Sequence, residues 1–293
     1  MNSEIAAGIL QSTLAMATPL LIAAQGETVV QKAGIVNVGL DGMMLVGAFA
    51  ATLITRSTHS PLLGICAGAA AALCLALLAA GFTVKLSANQ VVVGVVINLL
   101  AIGLTGTIYR KLFGVTGTSL ITESLPKFAN VTILTPFAIV LTFGVLWWLY
   151  RTRAGLELRA CGEQPTAAEA SGVSVPRTRL LAMLFGGLMA GVAGAFLSVG
   201  DGNTFVENMT DGRGFIALAI VTSGRWNPVG GLVAALVFGL AQALQFQGQA
   251  LGLKLPYQIF VALPYLVTLC VLTLGSTRSL APAALGRPYR KAS

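Results

Sequence analysis

Residues 151–179 read RTRAGLELRACGEQPTAAEASGVSVPRTR, set between FAIVLTFGVLWWLY (137–150) and LLAMLFGGLMAGVAGAF (180–196). Five arginines and three glutamates gather here in a chain whose residues are only 10% charged. A soluble domain carries about 25%. Each flank belongs to an apolar run of roughly 20 residues, enough to cross a hydrocarbon core about 30 Å thick. The stretch therefore reads as a polar loop between two membrane helices.

The rest of the chain agrees. Of its 293 residues, 56% are hydrophobic, and the mean hydropathy is +0.84. Spans are expected at 5–24, 35–55, 61–83, 91–109, 132–150, 179–199, 204–223, 231–249 and 257–274. This is an all-α, polytopic membrane bundle of nine spans in a single domain, 1–293. A further short helix near 25–34 would make ten. The first run lacks a basic lead-in and a small-residue cleavage site, so it is expected to be a retained helix. The net charge of +8 marks cytoplasmic loops and gives no reason to invoke nucleic acid. The loop 151–179 and the tail 275–293, with Arg278, Arg287, Arg290 and Lys291, are both placed in the cytoplasm. Four spans separate them, as an even number must. The loop 200–212, with Asp201, Glu207 and Asp211, falls outside, and so does the N-terminus. One loop breaks the rule: 110–131, with Arg110, Lys111 and Lys127, also falls outside.

An internal repeat is visible. HSPLLGICAGAAAALCLAL from His59 aligns with WNPVGGLVAALVFGLAQAL from Trp226, pairing Pro61 with Pro228 and Gly64 with Gly231. The offset is 228 − 61 = 167, and the partners run in opposite directions in the expected topology. Inverted repeats of this kind build transporters. Gly64/Gly68 and Gly187/Gly191 have the spacing that lets helix backbones approach closely.

Polar residues at membrane depth mark cavities or partners, because they are costly there. GIVNVGLDGMMLVGA (34–48) sets Asn37 and Asp41 four residues apart within a glycine-broken stretch. Irregular backbone of this kind belongs beside a water-filled path or inside protein. Asn98 lies mid-span, and Asn203, Glu207, Asn208 and Asp211 cluster where the seventh span begins. Asn37, Asp41, Asn98, Asn203 and Glu207 are the candidate pathway residues, with interhelical hydrogen bonding as the competing role.

Several chemistries find no residues. The chain contains neither GxxxxGK[ST] nor HExxH, and its single histidine, His59, falls in a short loop. It has no P-loop for nucleotide, no expected metal or cofactor, no catalytic constellation and no arginine ladder. Cys66, Cys74 and Cys270 read as small apolar filler, and Cys161 lies in the basic loop.

Within the opening stretch, Pro165 can start a helix at a position where its missing N–H costs nothing. Gly172 can end it in a left-handed cap. A short helix with small side chains, ringed by arginines, suits a groove on another protein, with a solvated loop whose arginines only set topology as the competing reading.

AAEASG (167–172) resembles the docking loop of ABC importer permeases. The segments TPLLIAAQGETVVQKAGIVNVGLDGMMLVGAFAA, SANQVVVGVVINLLAIGLTG, DGRGFIALAIVTSGRWNPVGGLVAALVFG, PYLVTLCVLT and APAALGRPY extend the match. In order and spacing the chain resembles permeases of the branched-chain amino acid, ribose and nucleoside group, closest to the branch assigned to nucleoside uptake. That branch commonly carries glutamate where this chain has Asp41. The resemblance implies a multi-pass protein of the bacterial inner (plasma) membrane, working with a second permease chain, cytoplasmic ABC ATPase subunits and a periplasmic or lipid-anchored binding protein. ATP-driven alternating access would move the substrate. Residues Arg159, Gly162, Glu163, Pro165, Ala167, Ala168, Glu169 and Gly172 would form the coupling contact. A permease for a simple sugar or branched-chain amino acid, a carrier with Asp41 or Glu207 as its proton site, and a partner-free channel stand as alternatives.

Overall fold

A computed structural model of the chain describes residues 2–114, 123–128, 131–250, 266 and 280–289. Ten helices fill these residues: α1 (Asn2–Lys32), α2 (Leu40–Thr58), α3 (Pro61–Ala80), α4 (Gln90–Phe113), α5 (Leu134–Arg151), α6 (Arg153–Glu163), α7 (Pro165–Ala170), α8 (Val175–Ala195), α9 (Arg213–Ser223) and α10 (Pro228–Ala250). Wider π-helical turns extend α3 through Gly81–Lys85 and α8 through Phe196–Asp201. A two-residue hairpin, β1 (Lys127–Phe128) against β2 (Val131–Thr132), precedes α5. Helix starts follow local chemistry. Pro61, Pro165 and Pro228 each open a helix at the first helical position, where no N–H is needed. The Asn89 side chain accepts from the amides of Val91 and Val92 to cap α4.

Six of the described helices are long and apolar enough to cross a membrane, and α9 is a shorter apolar one. The centre of the bundle is α1, α2 and α8, where Leu20, Ile22, Met43, Met44, Ala190 and Phe196 are fully or almost fully buried. Outward faces of α3, α4 and α5 instead expose Leu62, Leu77, Val92, Leu99, Val140 and Trp147. Lipid tails are as apolar as these side chains, so close packing of small residues must hold the helices together. Gly68 lies on the Gly47 carbonyl, Gly191 on the Gly68 carbonyl, and Gly187 on Ala76, so both expected glycine pairs sit at the α2–α3–α8 crossing.

Contacts also fix the directions. Gly26 meets Met189 while Arg179 bonds the Ala33 carbonyl, so α1 and α8 are antiparallel. Thr18 bonds Thr135 at one end, and Val29 and Ala33 pack with Val145 and Leu149 at the other, so α1 and α5 are parallel. Lys32 ends against Gly162 of α6. The start of α1 thus lies at the opposite end of the bundle from the basic loop, as the charge pattern expects.

Three sequence boundaries differ. The first span continues to Lys32 as one helix, so there is no separate helix at 25–34. The second begins at Leu40, five residues after its expected start. The seventh is not a full span: residues 204–212 are irregular, and α9 has 11 residues, about 16 Å at 1.5 Å per residue. Asn203, Asn208 and Asp211, with positive φ, break it there; asparagine and aspartate tolerate this conformation. The repeat gains support, because α3 and α10 start 167 residues apart and each half carries its break before the preceding helix, at 33–39 and 202–212. The expected span 257–274 and Cys270 lie outside the described residues.

Candidate functional site

The break at 33–39 sits deep in the protein, and hydrocarbon supplies no hydrogen bonds. Every exposed backbone group there must find a protein partner. Other helices provide them. Gln90 Oε1 accepts from the Val36 amide at 2.8 Å, and Glu27 Oε1 accepts from the Asn37 amide at 3.1 Å. Asn98 bridges the break: its Nδ2 donates to the Val38 carbonyl at 3.0 Å and its Oδ1 accepts from the Gly42 amide at 2.8 Å. The Asn37 side chain donates to the Met43 sulfur at 3.4 Å.

The second break meets the first at Asp41. Its Oδ1 accepts from the Gly214 amide at 2.8 Å, and its Oδ2 accepts from the Thr210 hydroxyl at 3.1 Å. No side chain of its own loop caps α9, whose N-cap is Gly212. A carboxylate from the other half of the protein does so in its place. Asp41 also lies in the first turn of α2, so it faces the positive ends of two helices. Gly214 backs directly onto the Asp41 backbone and Cβ, where no side chain at 214 would fit.

Below these bonds, on α1, a polar cluster extends the belt. Gln31 Nε2 donates to Glu27 at 2.9 Å, and Gln31 Oε1 accepts from the Trp226 indole at 2.6 Å. Gln25 donates to the Pro228 carbonyl at 3.0 Å. Glu27 and Gln25 are completely buried, and Glu27 Oε2 and Gln25 Oε1 have no hydrogen-bond donor among the described residues. None of these α1 side chains stood among the sequence candidates. Their signal was available: QGETVVQK continues the first helix, and a glutamate on a membrane helix is conspicuous once the helix is known to continue.

Asn37, Asp41 and Asn98 therefore come together around one break. Glu207 does not join them. It pairs with Arg110 through two bonds of 2.9 and 2.8 Å near the outer end of α4, and this hydrogen-bonded partner holds its carboxyl below the usual range. The pair also neutralises one of the basic residues in the loop that broke the charge rule. Asn203 lies apart as well, in a left-handed turn with its Oδ1 buried and unpartnered among the described residues. His59 meets Glu123 at 2.9 Å on the surface.

At the basic end, the opening stretch is a helical hairpin. Thr152 caps α6 by accepting from the Gly155 amide, and the Arg159 guanidinium lies 4.8 Å from the Tyr150 ring centre. Gly162 presses on the Lys32 carbonyl, where no side chain would fit. Pro165 opens α7. Its end is a Schellman motif: the Gly172 amide bonds the Glu169 carbonyl, the Val173 amide bonds the Ala168 carbonyl, and Gly172 has φ +86°. Ala168 is buried against Cys161 and Val175, so it packs within its own chain. Burial pushes the Cys161 thiol pKa up. The face of α7 left exposed is Thr166, Ala167 and Ala170. Glu163 accepts from the Ala283 amide, and Glu169 accepts from the Tyr289 hydroxyl. The amphipathic helix α6 was missed in the sequence, where Arg153, Glu157 and Arg159 interrupt its short apolar stripe.

Residues 9–272 match the family described as "Branched-chain amino acid transport system / permease component". A candidate glucose ABC transporter permease protein of Haloferax volcanii, TsgC13, is 36% identical, over 98% of this chain and 99% of its own. The guanosine ABC transporter permease protein NupQ of Bacillus subtilis is 34% identical over 98% of both chains. A second B. subtilis protein, the guanosine ABC transporter permease protein NupP, is 29% identical over 78% of this chain and 70% of its own. No solved structure matches.

Proposed function

The chain belongs to the branched-chain amino acid transport system permease family and is a multi-pass ABC transporter permease subunit of the plasma membrane; from this premise we propose that it imports nucleosides as one half of a two-permease pathway. The observation that carries the transport reading is the meeting of the two breaks at Asp41. Glycine-interrupted segments at corresponding positions of two repeats form the binding region in transporters of inverted-repeat design. Here one half holds the other by the Asp41 bonds to Gly214 and Thr210.

The substrate class is supported by the relatives' names. NupQ and NupP are both named for guanosine. That two permease proteins of one organism match this chain supports a second, similar permease as partner. Cytoplasmic ATPase subunits would dock on Thr166, Ala167 and Ala170, and a binding protein would deliver substrate outside. In this scheme, ATP is hydrolysed by the docked subunits, not by this chain. The name of TsgC13 makes a simple sugar the second reading.

The test is uptake of labelled guanosine, ribose, glucose and leucine by cells with the permease gene present or deleted, and by ATP-filled vesicles with and without an uncoupler. Guanosine uptake should vanish with the gene and survive the uncoupler. Uptake that collapses with the uncoupler while ATP is present would replace the importer by a proton-coupled carrier, and glucose as the sole transported solute would replace the substrate.

A further inference from the structure

The C-terminal segment 282–289 is neither helix nor strand and turns at 283–286, yet it makes ordered bonds with three separate parts of the protein. At the coupling hairpin, Ala284 donates to the Gly162 carbonyl at 2.9 Å, Ala283 donates to Glu163 at 3.2 Å, and the Tyr289 hydroxyl donates to Glu169 of α7. At the first break, Gly286 donates to the Gly34 carbonyl at 3.1 Å. At the turn between α3 and α4, Ser87 donates to the Tyr289 carbonyl at 3.1 Å.

Arg179 locks this segment from beneath. It is 3% exposed; its Nε donates to the Ala33 carbonyl at 3.1 Å and its Nη1 to the Arg287 carbonyl at 3.0 Å. Its guanidinium lies 5.9 Å from the Tyr289 ring centre. A buried guanidinium spent on two backbone carbonyls, one in the break and one in the tail, fixes their separation. Arginine suits this task because its planar fork holds several donors in fixed directions.

We infer that residues 282–289 form a strap that carries movement of the α7 helix to the break at 33–39, with Tyr289 and Arg179 as its positioning residues. The inference rests on the reading that α7 docks on the ATPase. When α7 moves, the Tyr289–Glu169 bond draws the strap, and the Gly286–Gly34 and Arg179–Ala33 bonds draw the end of α1. Three residues on, Val36 and Asn37 are tied to Gln90 and Glu27, so the displacement arrives at the polar belt. A tail that only shielded a surface would need no bonds to both the coupling helix and the break.

The experiment uses the complete transporter, with both permeases, ATPase subunits and binding protein, in proteoliposomes. Uptake and ATP hydrolysis are measured on the same sample. Tyr289→Phe removes one hydroxyl and nothing else. It should leave membrane abundance and basal hydrolysis unchanged while substrate moved per ATP falls about tenfold or more, the factor carried by one hydrogen bond to a carboxylate. Glu169→Gln keeps an acceptor and should lose less. The double variant should be no worse than Tyr289→Phe alone, since both act on one bond. A parental ratio in Tyr289→Phe, additive losses in the double variant, or a fall in abundance with the ratio kept would each overturn the strap. Docking is read separately, by cross-linking a Thr166→Cys permease to the ATPase. If that cross-link fails in an otherwise parental chain, the docking reading falls; if it forms while Tyr289→Phe couples normally, only the strap falls.

Discussion

Replacing Asp41 tests whether one carboxylate holds the two halves together. Asp41→Ala strands two buried donors, the Gly214 amide and the Thr210 hydroxyl. Leaving a buried donor unmet costs about 1–3 kcal/mol, and the lost charge beside two helix N-termini adds about 0.3–1 kcal/mol for each. Allowing for relaxation of the Thr210 hydroxyl, the total is roughly 2–5 kcal/mol. Asp41→Asn is milder: its amide oxygen can still accept from Gly214, and its NH2 can donate to the Thr210 oxygen. What it loses is charge assistance, about 1–2 kcal/mol, because ionised bonds are roughly twice as strong as neutral ones. The expected stability order is therefore Asp, then Asn, then Ala. Thermal unfolding of the purified permease in one detergent and lipid mixture reads the order, and initial uptake rates read its functional cost. Equal losses for Asn and Ala would refute the geometric argument. An alanine variant with parental stability and no uptake would do so more pointedly, since the carboxylate would then serve the substrate and not α9.

Two further outcomes follow from the helical hairpin of α6 and α7. Cys161 is fully buried and its thiol pKa is raised chiefly by that burial, so little reactive thiolate forms as pH rises through the ordinary cysteine range; an impermeant maleimide should label Thr166→Cys from the basic face of the membrane at pH 7, leaving Cys161 unmodified up to pH 9, and rapid labelling of Cys161 would refute the packing. Ala167 and Ala168 should separate docking from folding: Ala167→Arg on the exposed face should lower uptake about tenfold or more with normal membrane abundance, whereas Ala168→Arg places a charge against Cys161 and Val175 and should cut abundance itself several-fold, measured by quantitative blotting.

The sequence disclosed what depends on side-chain pattern. Apolar runs located the membrane helices, and Pro61 and Pro228 located the starts of α3 and α10, because proline is tolerated at a helix start for a local reason. Pro165 and Gly172 similarly bounded α7. Boundaries failed where the deciding term was tertiary. Residues 25–32 are polar enough to end a helix in isolation, yet Glu27, Gln25 and Gln31 each find a partner on another segment, and α1 continues. Residues 204–212 contain apolar Phe205, Val206 and Met209, which suggested helix, but the left-handed Asn208, Asp211 and Gly212 set its start at Arg213. The strap was illegible for a different reason: apart from Tyr289, its bonds are made by backbone atoms, and a backbone amide looks alike in every residue.

The loop that broke the charge rule leads to the last step. Arg110 and Glu207 neutralise one another, so the loop 110–131 has less exposed positive charge than its sequence suggests. Glu207 belongs to the second break, and Arg110 to the helix that also carries Asn98 and Gln90, the two side chains that satisfy the first break. One helix, α4, thus contacts both irregular segments, at its inner half through amides and at its outer end through an ion pair. The amide bonds lie in protein away from water, where an exchange of partners must be matched group for group. The ion pair is exposed to solvent, where breaking it costs little. On the proposed alternating access, the outer contact is therefore the one that opens cheaply, while Asn98 and Asp41 keep the two breaks registered during the change. Both halves can then move without ever leaving a backbone amide bare in the membrane.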